Sequence, residues 1–524
     1  MNRKNLTSAV LAGLTGVAGI AATAQAVNIN PDGLGQVLIY PYYTTNGGNA
    51  TLLSVVNTTD NAKAVKVRFL EGMNTREVLD FNLYLSPYDV WTAALSENAD
   101  GNPQLKTTDT SCTVPYLYLN EDHVQEFLPY ALIDGGPTDL SRGAEGHFEI
   151  IEMGTLVDTT EGSATAATHD DSGVPANCTQ LIAAWTDPDN TVVGDEGYWL
   201  QDSTVDIDPP SGGLFGGAAV VDVTGGFMVS YDAKAINGFS ETGFDRFGES
   251  LHAEPGSVFP SLDSGDVTDG FVFMDDGSVL ASSGLTRGVD AVSFVFMHDQ
   301  LMNEYITAPG INAQTEWVIT FPTKHFYVYE PSALPLVPPV APFTTVWDSA
   351  SAMGPEGWPC EVVSLDGIWD REEATPLDEP GQAVPPIVSP APPTPPADPI
   401  IPFELCFETS VIAFGDPTEM METGMTPVLG SANFHNINNE ELGFHSGWVR
   451  LQLDDYPHDA NADGNIDGTE AALSRDALGG LEGLPITGFA AQRFGNATLG
   501  DGADVLANYG GIFQHKGTRK VASS

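Results

Sequence analysis

The chain is punctuated by short runs in which apolar and polar residues alternate with a period of two. Val65, Val67 and Phe69 alternate with Lys66 and Arg68, and Phe81, Leu83 and Leu85 alternate with Asn82, Tyr84 and Ser86. Val449, Leu451 and Leu453 do the same against Arg450 and Gln452. This is the signature of half-buried antiparallel strands, whose successive side chains point to opposite faces. Apolar runs at 37–40 and 52–56 predict buried strands, the second closed by the turn cluster Asn57-Thr58-Thr59-Asp60. Further strands are predicted at 148–153, 181–185, 218–223, 228–231, 317–321, 326–329, 361–365, 405–414 and 448–453. Segments 161–173 and 260–278 are small, polar and acidic and predict loops. Segment 290–306 places Val292, Val295, Phe296, Asp299 and Met302 at helical spacing and predicts the main helix.

Strand, turn and strand at intervals of about 10 to 15 residues predict an all-β fold. The expected architecture is two antiparallel β-sandwich (Ig-like) domains with few short helices, at 27–236 and 237–524. A proline-rich stretch at 379–402 favours extended polyproline II and excludes a central strand. It is expected to be a loop inserted in the second domain, the alternative being an inter-domain linker. No repeat of 20 to 50 residues argues for a solenoid or propeller.

Composition narrows the partners. The 524 residues carry 71 Asp+Glu against 19 Lys+Arg, a formal charge of −52, so nucleic acid and anionic lipid are excluded as partners by repulsion. The chain is no disordered acidic tail, because 42% of it is hydrophobic and only 17% charged. Residues 1–26 read as a secretory signal peptide, with Arg3 and Lys4, an apolar stretch at 8–22 and the small-x-small site Ala24-Gln25-Ala26. Cleavage before Val27 removes two cations and takes −52 to −54. No later run reaches the roughly 18 apolar residues of a membrane span, so the mature chain is expected outside the cytoplasm: extracellular, at the cell surface or periplasmic. Cys112, Cys178, Cys360 and Cys406 then suggest disulfides. Of three pairings, Cys112–Cys178 and Cys360–Cys406 keep each bridge within one expected domain. Buried free thiols are the alternative.

One motif carries chemistry. Residues 459–470 read Asp-Ala-Asn-Ala-Asp-Gly-Asn-Ile-Asp-Gly-Thr-Glu. This resembles the twelve-residue calcium loop of EF-hand and dockerin proteins, position by position. The resemblance implies Ca²⁺ held by Asp459, Asn461, Asp463, Asn465 through its carbonyl, Asp467 and a bidentate Glu470, with Gly464 at the sharp turn and Ile466 at the apolar position. The flanks depart from the family, because a strand and Pro457 precede the loop where an EF-hand has a helix. A short helix is expected over 470–478. The alternative is a solvated acidic turn. The acidic clusters at 263–269 and 275–277 read as solvated turns. Elsewhere Leu34–Pro41, Trp317–Lys324 and Ala507–Gly511 resemble uncharacterised exported proteins of proteobacteria, a resemblance that implies a compartment and no activity.

Catalytic signatures are missing from the sequence. There is no His-Glu-x-x-His, phosphate loop or dinucleotide fingerprint, and the segment Gly238 to Gly243 has one residue too many for a nucleophile elbow. His298-Asp299, His435 and His445 read as structural or surface groups. Trp358, Trp369 and Trp448 read as core residues, with a sugar-binding platform as the alternative. The expectation is a secreted or cell-surface, non-enzymatic structural or adhesion-type protein with one structural calcium loop and an envelope, matrix or polysaccharide partner. The alternatives are a secreted carbohydrate-active enzyme or carbohydrate-binding module and, third, a surface-layer subunit.

Overall fold

The computed structural model describes residues 26–188, 195–329, 339–347, 360–374, 401–441, 443–456, 473–496 and 507–523. The expected signal sequence (all but Ala26) and most of the proline-rich stretch lie outside these residues. The fold is mostly β and built from antiparallel sheets. Strand Val37–Thr44 lies inside a large sheet, between Lys234–Asn237 and Glu145–Leu156. Beyond Glu145–Leu156 come Lys63–Glu71, Glu77–Leu85 and Cys112–Val114. A second, six-stranded sheet runs Phe227–Asp232, Leu214–Asp222, Asn49–Asn57, Val90–Glu97, Pro103–Lys106 and Val124–Glu126. Leu38, Tyr40, Val67 and Phe148 from the first sheet share one apolar cluster with Leu53, Val55, Trp91 and Val220 from the second. Burial of each such side chain is worth about 1.5–3 kcal/mol.

The opposite face of the first sheet is where period-two reasoning misjudged the environment. Lys66 and Arg68 alternate with Val65, Val67 and Phe69 as expected, yet all nine residues of Lys63–Glu71 are buried. Residues 237–296 cover this face, with Phe239, Leu251 and Val292 packed on Val37 and Ile39. Beneath the cover lies a layer of ion pairs. Lys66 Nζ donates to Asp80 (2.8 Å), while Arg68 bridges Glu77 and Glu149. The cover completes it, since Lys66 Nζ also donates to the Glu254 carbonyl and the Gly256 N–H donates to Asp80.

Two five-stranded sheets form most of the rest, beside four two-stranded pairs. One runs Ile401–Leu405, Glu361–Asp370, Ser446–Gln452, Gln300–Ile306 and Lys516–Thr518. The other runs Phe434–Ile437, Thr409–Phe414, Ala313–Thr320, Thr487–Asn496 and Ala507–Gln514, with one parallel pair, Thr409–Phe414 with Phe434–Ile437. Trp317, Ile319 and Ile412 face Leu301, Val363 and Val449 of the partner sheet. From the other side of the same strands, Val318, Val411 and Phe489 join the apolar cluster of the N-terminal sheets. Residues 375–400 connect two strands that pair with each other, Glu361 opposite Leu405 and Leu365 opposite Ile401.

Several expected elements change type. Segment 290–306 is not one helix. Gly288–Phe296 is helical with all nine residues buried, and Gln300–Ile306 is a strand opposite Ser446–Gln452. Segment 181–185 is helical instead of extended. Cys178–Ala184 starts at Asn177, whose side chain accepts the Gln180 N–H as an N-cap, and it buries Leu181 and Ala184. His325–Val328 is a helical turn, and Ser163–Ala167 is a short helix inside the expected 161–173 loop. Phe271–Phe273 pairs with Val279–Ala281 at the edge of the expected 260–278 loop. Leu473–Ser474, expected to be helical, pairs as a strand with Asp455–Tyr456. Among the described residues no helix is long and apolar enough to cross a membrane.

Candidate functional site

The calcium-loop residues Asp459, Asn461, Asp463, Asn465, Asp467 and Glu470 lie outside the described residues. Their described flanks are informative. Asp455–Tyr456 and Leu473–Ser474 form an antiparallel ladder, so both ends of the segment carrying the motif are held side by side. The bridges are Cys112–Cys178 and Cys360–Cys406. Cys360, Glu404 and Cys406 come close together, but the two sulfurs are bonded to each other and calcium wants oxygen ligands, so this is no calcium site.

His298, His435 and Ser240 are tied into the fold. His298 Nδ1 pairs with the Phe296 carbonyl, and burial pulls its pKa down to about 3. His435 Nε2 accepts the Cys406 N–H, and burial takes it to about 4. His445 is exposed. Ser240 is tied down by Gln36, which accepts its N–H and donates to its carbonyl.

Buried carboxylates hold the sheets together. Arg142 sits between Glu71 and Asp134, donating to both oxygens of each at 2.7–2.9 Å. Glu316 accepts from the Val428 and Leu429 N–H groups and the Thr426 hydroxyl, and burial pushes its carboxyl up to about 7. Glu408 accepts the His325 N–H. Burial raises it to about 8 although Lys324 opposes the shift.

The tryptophans divide sharply. Trp91, Trp199, Trp317 and Trp347 are buried, Trp185 is half-buried and Trp358 lies outside the described residues. Trp369 and Trp448 instead stack on the outer face of one five-stranded sheet, centroids 4.1 Å apart and planes within 15°. Register creates the pair, because Trp369 opposes Trp448, which in turn opposes Glu304. In the next row Gly367 opposes Arg450, Arg450 opposes Met302 and Met302 opposes Lys516. Gly367 follows a bulge at Leu365, and a Cβ there would lie 1.9 Å from the Trp369 ring. The glycine thus lets the indole lie flat, with the Arg450 guanidinium over it at 5.2 Å. Trp448 is 38% exposed.

A depression of about 500 Å³ opens beside Trp448, lined by Met302, Glu304, Phe513, Gln514 and Lys516. Ile512 and Gln514 also line a second depression of about 950 Å³ on the outer face of the six-stranded sheet, so the two adjoin. Its floor is made mostly of small side chains in register. Ser230, Ala219, Leu52, Ala94 and Lys106 form one row across five strands, and Asp232, Gly217, Ser54 and Thr92 form the next. The result is a groove crossing from one sheet to another, with an aromatic pair near one end and mixed polar groups along it. Sequence reasoning named Trp369 and Trp448 but missed Phe513, Gln514, Lys516 and Lys106, which no local pattern connects. The chain matches no protein-family profile, no curated protein and no solved structure.

Proposed function

We propose that this is an exported, non-enzymatic, adhesion-type protein that binds polysaccharide along the groove. The observation that carries the reading is the solvent-facing Trp369–Trp448 stack beside a concave, mixed-polarity surface. An indole offers a broad apolar face to the C–H side of a sugar ring, and neighbouring amide, carboxylate and ammonium groups can bond its hydroxyls. A long, shallow channel suits a chain better than a compact small molecule. In this reading the four main sheets form two Ig-like sandwich units that present the groove, and the signal sequence takes the protein to the cell surface or beyond. The 459–470 loop, closed by its two-stranded ladder, binds Ca²⁺ as a brace, and the two disulfides suit an oxidising compartment.

The test is affinity electrophoresis through gels containing a panel of soluble polysaccharides. Wild-type protein should be retarded by at least one polymer, and Trp448→Ala should weaken that retention about tenfold, equivalent to about 1.4 kcal/mol. Retention by no polymer, or a Trp448→Ala variant that binds like wild type, would overturn the proposal.

A further inference from the structure

We infer that the groove selects an acidic polysaccharide, one whose sugar units carry carboxylate groups. The inference rests on the polysaccharide reading and adds the charge of its ligand. It starts from how the cations are used. Against 71 acidic residues the chain has only 19 Lys and Arg. Nearly all of those in the described residues are committed to carboxylates, carbonyls or rings. Lys63, Lys66, Arg68, Arg142, Arg287 and Arg475 are in buried ion pairs. Among the described residues, the ammonium groups of Lys106 and Lys516 have no hydrogen bond or ion pair, although carboxylates outnumber cations almost fourfold. Both lysines are exposed and both line the groove.

The second observation lies where the two depressions meet. Gln514 lines both, and its side-chain oxygen accepts from Lys234 Nζ at 2.7 Å. Lys516 is near enough that its charge, after burial, holds the Lys234 ammonium below its ordinary pKa, with Asp232 acting the other way. Asp232 offsets part of that repulsion, and an anion in the groove would offset more. Arg450 stands in the same row as Lys516, with Met302 between them. Arg450 is committed to the Trp369 ring, which leaves the Lys516 ammonium as the cation of that row lining the depression. A neutral sugar would leave these ammonium groups to water.

The net charge of −52 does not forbid this. At physiological ionic strength the Debye length is about 8 Å, so distant carboxylates are screened while contacts inside the groove are not.

The test compares each of several polyuronic acids with its own methyl ester, which keeps the backbone and removes the charge. Titration calorimetry at about 0.15 M salt should give wild-type protein at least tenfold tighter binding to one acid form than to its ester. Lys516→Gln should narrow that preference several-fold, and Lys106→Gln with Lys516→Gln should abolish it, the loss falling far more on the acid form than on the ester. An ester bound as tightly as its acid form, or a double variant that keeps the preference, would overturn the charge inference and leave the polysaccharide reading standing. Binding to no acidic or neutral polysaccharide would sink both.

Discussion

Glu408 gives the sharpest test of how the interior was read. Its carboxyl is fully buried, accepts one backbone N–H from His325 and has a side-chain oxygen without a hydrogen-bond partner. Burial lifts its pKa from 4.5 to about 8 in spite of Lys324. Between those values the folded protein keeps a proton that the unfolded chain has released, so stability falls as pH rises. The contribution is fully present below about 4.5 and is lost as pH passes through about 8. The gap corresponds to about 5 kcal/mol at 1.36 kcal/mol per pH unit. Glu408→Gln mimics the protonated acid and does not titrate. Urea midpoints measured from pH 4.5 to 9 should agree for the two proteins at the acid end. They should then separate, with the variant more stable by several kcal/mol above pH 8. Groups that do not interact with Glu408 cancel in the difference, and Lys324, which does, loses one of the carboxylates that favour its charge. Parallel curves, or a variant destabilised equally at all pH values, would refute the argument that burial outweighs the nearby ammonium.

Two further outcomes are expected. Arg142→Ala strands Glu71 and Asp134 in the interior and should cost about 3–5 kcal/mol at pH 7 by urea unfolding. Hydrogen bonds from Arg142 are the main influence holding Asp134 below the ordinary carboxyl range against its burial, so the cost should shrink as acid protonates that group; a loss under 1 kcal/mol would contradict the geometry. Calcium should raise the melting temperature of wild-type protein and EDTA should lower it, with Asp459→Ala/Glu470→Ala insensitive to both; equal midpoints in all samples would remove the calcium brace.

The β-character was legible because period-two alternation is a local property, and Val65, Val67 and Phe69 do face the core. What covers the other face is not local. Nothing near Lys66 and Arg68 announces that residues 253–256, almost 200 positions away, close over them. Segment 290–306 misled because Asp299 and Met302 fall in phase with the helix before them although they belong to a turn and a strand. The helix at 178–184 had its N-cap signal in Asn177, overridden by an apolar run short enough to read either way. Trp369 and Trp448 could be named as a sugar platform, but not placed opposite each other, because their pairing depends on the register between Glu361–Asp370 and Ser446–Gln452. The groove draws residues from nine separate strands, so no motif could have announced it.

The buried ion pairs, beneath the 237–296 cover and elsewhere, have an effect beyond the interior. By drawing so many of the scarce cations inward, they leave a shell of almost one sign. Two molecules approaching in dilute solution meet like charge along most directions. The groove, floored mostly by short side chains and edged by two lysines that have no ion pair among the described residues, interrupts that shell. Charge sorted in this way keeps copies of the protein apart while leaving one approach open to something that is not a copy.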